Sequence, residues 1–233
     1  MRLPSDCGSG CLYDTLYHNI YLKRNPMLTM LAPFHYPTAD AAFQALAQPD
    51  CHIALADRTL PRDLEQAAQA FLHDGPSLIL TAGSPGQLEE ELASAFTPAT
   101  RVLLEDALGL ARQYCAATGM DAVRFRLERI THDSCRRFHV DHVVLRLLCT
   151  YVGPGVQWRR PEAGENATVH QADAGAVALL KGDCYPGWQP EGAVQHRSPP
   201  LSTLAVPTTR LLLTLDAPQA CGMSEDQRRI VRD

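Results

Sequence analysis

The first part of the chain alternates between segments with the apolar spacing of helices and short apolar runs typical of buried strands. A helix over residues 62–73 is the clearest of these segments, because Pro61 precedes it and Gly75 follows it, in the order that helix ends favour. Ser84 and Gln87 have the spacing of a capping box and mark the start of another helix. The predicted elements are helices at residues 41–46, 62–73, 84–96 and 101–118 and strands at residues 51–56 and 77–81.

The second part of the chain, after Gly119, has a different pattern. Residues 123–130 alternate between apolar and charged side chains, and this period of two predicts a half-buried strand. Turns rich in glycine and proline then separate further short apolar segments, with no helical period between them. Such a succession is typical of a β-sandwich or a jelly roll. The further predicted strands lie at residues 145–152, 156–158, 167–171, 175–182 and 210–216.

Together the two patterns predict an α+β fold, in which a helical and mixed N-terminal layer supports a C-terminal β domain. We place the boundary near residue 120, with residues 1–120 as the support region and residues 121–233 as the β domain. A chain of 233 residues is long enough for one large or two small domains. No convergent set of reactive side chains stands out in the first region, so we expect the function to reside in the second.

Composition and charge exclude two classes of function. The net charge is −5 and the chain has no basic run, so no nucleic-acid partner is expected. No apolar stretch has the length of a membrane-spanning helix, and the first residues do not open a signal peptide, so we expect no membrane partner and a cytoplasmic location.

Eight cysteines without framework spacing indicate reduced thiols. Cys7 and Cys11 form a pair separated by three residues, but the second pair that a structural zinc site needs is not evident nearby.

The strongest candidate chemistry lies just before the strand at residues 145–152. His139 and Asp141 are separated by one residue, so in an extended chain their side chains project to the same side. A converging imidazole and carboxylate make two of the three ligands of a 2-His-1-carboxylate triad, which leaves open positions on the metal. The third ligand must come from another strand, and His196 is the candidate. His142 has the opposite parity and is expected at the surface.

Other interpretations of this region stay open. His139 and Asp141 could instead be a hydrogen-bonded pair within a β-sandwich. Cys135, four residues before His139, is a candidate to join or tune the site, or else a buried thiol. Tyr151 and Trp158 are candidates for lining the pocket, although aromatic side chains on strands usually pack in the core.

The order of these residues resembles that of the iron(II)- and 2-oxoglutarate-dependent oxygenases, whose prolyl-hydroxylase-like branch is the most similar in layout. The resemblance extends over residues 123–216. It implies that the C-terminal domain is a double-stranded β-helix, the form of jelly roll found in that superfamily. The features that carry the resemblance are His139-x-Asp141, a Thr-Tyr strand ending in Gly-x-Gly, a Leu-Lys-Gly turn, the distal His196 and Arg210 on the closing strand.

The resemblance also implies roles for these residues. His139, Asp141 and His196 would hold Fe(II), and 2-oxoglutarate would occupy two of the open positions. Arg210 would pair with the 5-carboxylate of 2-oxoglutarate, and it lies fourteen positions after His196 (210 − 196), within the range that the superfamily uses. The expected function is therefore a non-haem Fe(II)/2-oxoglutarate-dependent dioxygenase of unknown substrate.

A narrower resemblance gives an alternative from another class. The segment from Asp133 to Asp141, together with His196-Arg197-Ser198-Pro199, is similar to a bacterial family of unknown function whose members are often encoded near zinc-responsive GTPase metallochaperones. This context implies a non-catalytic metal-binding or partner-binding protein of zinc homeostasis, with a metallochaperone GTPase as its partner. It would hold Zn²⁺ at the same triad, with Cys135 as an additional candidate ligand. Zinc accepts this ligand set, and it binds an unselective site more tightly than Fe(II).

Overall fold

Two sheets frame the protein in a computed structural model that describes residues 34–160, 167–220 and 228–232. Cys7 and Cys11 lie outside the described residues. The helices are α1 (Ala39–Leu46), α2 (Arg62–Asp74), α3 (Pro85–Leu92) and α4 (Arg101–Thr118). The strands are β1 (His35–Tyr36), β2 (Ile53–Ala56), β3 (Leu78–Gly83), β4 (Val123–Ile130), β5 (Leu145–Val152), β6 (Gln157–Arg159), β7 (His170–Gln171), β8 (Val177–Lys181), β9 (Gln195–Arg197), β10 (Arg210–Asp216) and β11 (Arg229–Val231).

The larger sheet has eight strands in the order β1-β2-β8-β5-β10-β4-β3-β11, and the smaller sheet has the order β7-β6-β9. All neighbours are antiparallel except β1 and β2, which are parallel. The helices occur before β4, and strands dominate after it, so the predicted α+β class is confirmed. Strands β1, β2 and β3 belong to the same sheet as β4 and β5, and the boundary near residue 120 stays a prediction.

Local signals account for the helix ends. The capping box at α3 is confirmed, since the Ser84 hydroxyl accepts from Gln87 N and the Gln87 side chain accepts from Ser84 N. This helix ends at Leu92, earlier than predicted, and a short 3-10 helix continues the chain through Ala93–Ala95. Helix α4 has its predicted bounds, because Gly119 follows it with φ 68°, a left-handed conformation that glycine adopts without steric cost.

The larger sheet is covered differently on its two faces. One face packs on the helices, and its side chains include Phe125, Leu147 and Leu213. The alternate residues of the same strands point between the two sheets, where Leu148 shares a second apolar cluster with Trp158 of the smaller sheet. The metal-ligand candidates belong to this region between the sheets. No helix in the described part of the chain combines the length and the apolar character that crossing a membrane requires.

Candidate metal centre

The structure brings the three predicted metal ligands together. His139 pairs with His196 in an isolated β-bridge, in which His139 N donates to His196 O at 3.1 Å and His196 N donates to His139 O at 2.9 Å. Asp141 follows two residues later, in the loop that enters β5. Each of the three side chains offers a ligand atom within 4.8 Å of the other two. The spacing of His139 and Asp141 thus has the predicted effect of turning both side chains towards His196.

The Asp141 carboxylate is shared between a guanidinium and the two imidazoles. Its Oδ1 lies 2.5 Å from Arg146 Nη1 and 3.4 Å from His139 Nε2. Its Oδ2 lies 3.0 Å from His196 Nε2, but this buried oxygen has no partner of acceptable hydrogen-bond geometry among the described residues. A buried acceptor without a donor is costly. A cation held between Oδ2 and the two imidazoles would satisfy it, so the donor set fits a divalent metal.

Protonation of the triad follows from its contacts. Burial opposes ionisation of Asp141, but the nearby imidazoles of His139 and His196 and the charge of Arg146 outweigh it and hold the pKa of Asp141 well below its usual range. The carboxylate is therefore ionised at neutral pH, as a ligand must be. The hydrogen bond to Asp141 also raises the pKa of His139, against the effect of burial. A metal must therefore compete with a proton at His139.

The orientation of His139 suits a metal ligand. Its Nδ1 lies 2.8 Å from the carbonyl oxygen of Arg137. A carbonyl can only accept, so Nδ1 carries the hydrogen in this contact, and Nε2 of the neutral ring keeps its lone pair. Nε2 is also the nitrogen nearest Asp141. Histidines that bind metals are commonly fixed by such a bond from the other ring nitrogen.

A buried chain of charges supports the carboxylate ligand. Arg146 contacts Asp141 and also donates from Nε and Nη2 to Asp216 Oδ2, at 3.0 and 2.8 Å. Asp216 is fully buried and accepts two further hydrogen bonds from Arg124, both at 2.6 Å. The sequence did not identify Arg146 and Asp216 as parts of the site. The available signal was a charged residue within or at the end of an apolar strand, as Arg146 and Asp216 are, because buried charges must be paired.

Arg210 is a buried cation with neutral partners. The residue is 1% exposed, and its guanidinium donates to Pro154 O at 2.7 Å, Ser198 Oγ at 3.0 Å and Thr150 Oγ1 at 3.1 Å. No carboxylate of the described residues lies within ion-pair distance of it. Burial lowers the pKa of Arg210 to about 10, while the charge of Glu128 acts in the opposite direction.

The partners of Arg210 connect it to the strands that carry the triad. Thr150 lies on β5, which follows Asp141, and Ser198 lies two residues after His196. Neither hydroxyl was identified from the sequence, since serine and threonine are common on strands and in turns. The strand order explains why Arg210 contacts both hydroxyls, because β10 lies next to β5 in the larger sheet and Ser198 follows β9 of the smaller sheet.

The remaining candidates of the site lie in different places. Cys135 is exposed, and its carbonyl oxygen accepts from Ser198 N at 3.1 Å; its thiol does not belong to the cluster of ligand atoms. Trp158 lies opposite His196 in the register of β6 and β9. It is 2% exposed, and its indole Nε1 is buried without a hydrogen-bond partner among the described residues. Trp158 therefore offers a donor on the strand beside a ligand.

Tyr151 lies on the helix-facing side of β5, among the residues of the helix-side core. Its hydroxyl donates to Asp106 Oδ2 at 2.6 Å, and Asp106 also forms a bidentate pair with Arg58, at 2.6 and 2.8 Å. Tyr151 borders a cavity of about 290 Å³ next to Arg58 and Leu60. Alternation along the strand thus turns Tyr151 away from the face that holds Thr150.

We expect Tyr151→Phe to lower the free energy of unfolding by about 1–2 kcal/mol, because one buried hydrogen bond is lost while Arg58 still pairs with Asp106. Urea denaturation measures this change. Metal stoichiometry should stay at the wild-type value, since the hydroxyl faces the helices. A large fall in metal binding by Tyr151→Phe, without a loss of stability, would instead return this residue to the pocket.

The chain is similar to a family of proteins and to several solved structures. A family described as "Protein of unknown function (DUF1826)" matches residues 38–216. The search of curated proteins gave no match. Among solved structures, the chain is similar to a dioxygenase for auxin oxidation from rice, with 15% identity, a TM-score of 0.51, and coverage of 79% of this chain and 82% of that chain.

Two further solved structures are similar at lower scores. A Pseudomonas putida prolyl-4-hydroxylase has 19% identity and a TM-score of 0.44, over 81% of this chain and 98% of that one. The dioxygenase for auxin oxidation 1 from Arabidopsis thaliana, solved as a complex with 2-oxoglutarate, has 13% identity and a TM-score of 0.44, over 84% and 98%. The likeness to the rice protein shows a shared fold, and with it the predicted double-stranded β-helix is confirmed.

Proposed function

The chain belongs to the family described as "Protein of unknown function (DUF1826)", and from its site we propose that it is a non-haem Fe(II)- and 2-oxoglutarate-dependent oxygenase. The observation that carries this proposal is the Asp141 carboxylate, whose buried Oδ2 has no hydrogen-bond partner among the described residues and lies 3.0 Å from His196 Nε2. Two imidazoles and one carboxylate are the ligand set of non-haem iron oxygenases, and they leave positions open for other ligands.

The triad and its neighbours would hold the metal in a fixed arrangement. His139 and His196 are paired through the backbone, which places their rings side by side with centroids 4.6 Å apart. Arg146 holds Oδ1 of Asp141 and leaves Oδ2 for the metal. Such contacts around the ligands commonly contribute to metal affinity. The metal held by these residues would be Fe(II), which together with 2-oxoglutarate would supply the oxidising chemistry of the reaction.

Arg210 supports 2-oxoglutarate as the co-substrate. A guanidinium has five N–H donors, and three of those of Arg210 have neutral partners at hydrogen-bond distance. Its charge is buried without a carboxylate of the described residues within ion-pair distance, and a buried charge is costly unless it is paired. A planar guanidinium pairs best with a carboxylate, which the 5-carboxylate of 2-oxoglutarate would provide. Arg210 would therefore orient the co-substrate.

The region between the sheets would limit water near the reacting atoms. Leu148, Val156 and Trp158 are at most 8% exposed and form part of the apolar cluster on this side of the larger sheet. An apolar lining strengthens the interaction of Arg210 with a carboxylate, because it lowers the local dielectric.

An anaerobic titration tests the proposal. Metal-free protein should take up one equivalent of Fe(II) at the triad, and addition of 2-oxoglutarate should then produce a weak metal-to-ligand absorption band in the visible range. Succinate, which lacks the 2-oxo group, should give no band and serves as the control ligand. Because the measurement follows binding and not turnover, it needs no substrate.

The zinc alternative predicts the opposite result. A protein of zinc homeostasis would show no band with Fe(II) and 2-oxoglutarate, and protein isolated from cells would contain zinc bound tightly at the triad itself. That outcome would overturn the oxygenase proposal. Association with a metallochaperone GTPase is part of this alternative only, and it stays a prediction from the narrower resemblance.

A further inference from the structure

A second group of ligand atoms lies on the outer side of the segment that carries the triad. It consists of His142, Asp183 and Cys184, which we call the outer cluster. His142 Nδ1 lies 2.8 Å from Asp183 Oδ1, and Cys184 Sγ lies 3.5 Å from both of these atoms. The His142 side chain is 81% exposed, in keeping with the surface position that its parity predicts. The outer cluster shares no residue with the triad.

The separations among these three atoms are close to those of a tetrahedral zinc site. Zinc binds sulfur at about 2.3 Å and nitrogen or oxygen at about 2.0 Å, so tetrahedral angles place sulfur about 3.5 Å from nitrogen or oxygen, and nitrogen about 3.3 Å from oxygen. Both distances from Cys184 Sγ already have this value. Only the His142–Asp183 contact must open, by about half an ångström on the same bond lengths.

The backbone holds the outer cluster in place. Gly182 N donates to Val144 O, Asp183 N donates to Asp141 O and Cys184 N donates to Val143 O, at 3.1, 3.0 and 3.3 Å. These three bonds fix the loop after β8 against the segment that contains His142. The approach is close, since a Cβ on Gly182 would lie 2.0 Å from Val143 O. The ligands therefore need little rearrangement before binding, which reduces the cost of forming a site.

The chemistry of the donors selects the kind of cation. We propose that the outer cluster is a second metal site, which binds a thiophilic divalent cation of the Zn²⁺ type. An imidazole, a carboxylate and a thiolate suit zinc, whereas Mg²⁺ and Ca²⁺ prefer oxygen ligands throughout. Three protein ligands leave the fourth tetrahedral position to water. Because Asp183 N bonds to Asp141 O, a cation here would also fix the backbone next to the triad.

Cobalt(II) is the probe for the test, since it replaces zinc and reports its ligands by colour. A thiolate ligand gives an intense charge-transfer band in the near ultraviolet, and the triad has no sulfur that could produce one. Titration of the full-length protein with Co²⁺ should therefore produce the band within two equivalents per chain, because the triad also takes up one, and Zn²⁺ should then remove the band. The matched comparison is Cys184→Ser against Cys135→Ser, because Cys135 is an exposed cysteine outside both groups of ligands.

We expect Cys184→Ser to lose the band and Cys135→Ser to keep it. His142→Ala provides a second variant that leaves the core untouched, and it should weaken Co²⁺ binding at this site at least about tenfold. His196→Ala should keep the band, which separates this proposal from that made for the triad. A wild-type protein without the band, or a band that persists in both Cys184→Ser and His142→Ala, would overturn the second site.

Discussion

Replacement of His196 by alanine is expected to abolish the Fe(II)-dependent 2-oxoglutarate absorption band and to reduce iron at the triad from one equivalent to nearly none. The two remaining donors, His139 and Asp141, would leave the ion with one imidazole and one carboxylate. Each ligand bond to a metal in a protein site is about 2 Å long and cannot be supplied from elsewhere in the cluster. His139→Ala should have the same effect, because the two imidazoles are equivalent members of the set. Anaerobic dialysis with Fe(II), followed by metal analysis, measures the loss.

The control for this prediction is His170→Ala. His170 belongs to the same smaller sheet and stacks on Trp158, with ring centroids 4.2 Å apart, but it is not among the ligand atoms of the triad. This variant should keep its iron and the absorption band. Thermal unfolding of all variants should show cooperative transitions, so that lost metal is not confused with lost structure. If His139→Ala and His196→Ala both retained one equivalent of iron and the band, the triad would be excluded.

Truncation of Arg210 to alanine is expected to weaken 2-oxoglutarate binding by roughly 2–5 kcal/mol, which corresponds to about 30-fold to several thousand-fold in Kd. The reason is the burial of its guanidinium. The residue is 1% exposed, and its three hydrogen-bond partners are neutral. A carboxylate that binds here would form an ion pair with Arg210, and the low local dielectric would make their attraction strong. Fe(II) binding should not change, because Arg210 contacts none of the triad residues. Calorimetry with the anaerobic Fe(II) protein measures both quantities.

Arg159→Ala is the matched control for Arg210→Ala. Arg159 lies on β6 beside the site, but its guanidinium bonds to Gln195 and stacks over the Phe138 ring. Its removal should leave 2-oxoglutarate affinity within about twofold of wild type, since a surface charge contributes little to a buried contact. Equal affinity in wild type and Arg210→Ala would remove Arg210 from the co-substrate site, even if the triad binds iron.

The long elements of the fold could be predicted from the sequence because each has one face whose apolar side chains pack in a core, and these side chains recur with a regular period. Strands β4, β5 and β10 have their predicted bounds, as does helix α4. Strands β1, β9 and β11 have only two or three residues, too few for a period to show. Their positions depend on pairing with distant parts of the chain. Helix ends were predictable where a cap or a glycine marked them, as at Ser84 and Gly119.

The convergence of His139 and Asp141 was predictable because their spacing in the chain follows the geometry of an extended backbone. The residues that surround the triad could not be predicted. Alternation along β4 identifies which residues share a face of the sheet, but it does not identify the part of the protein that packs against that face. Arg124 belongs to the charged set of a predicted half-buried strand, yet it is 7% exposed and paired with Asp216. The charges of Arg124, Asp216 and Arg146 on this face compensate one another.

The position of β10 at the centre of the larger sheet has a consequence for biosynthesis. Its neighbours are β4 and β5, which leave the ribosome long before residues 210–216 do. Until then β4 and β5 lack the strand that joins them, and each carries an unpaired edge that invites wrong partners. Closure through such distant contacts is slow compared with local pairing. The nascent chain is therefore expected to be open to wrong pairing until β10 inserts, and the Arg124–Asp216–Arg146 chain of charges forms only at that step.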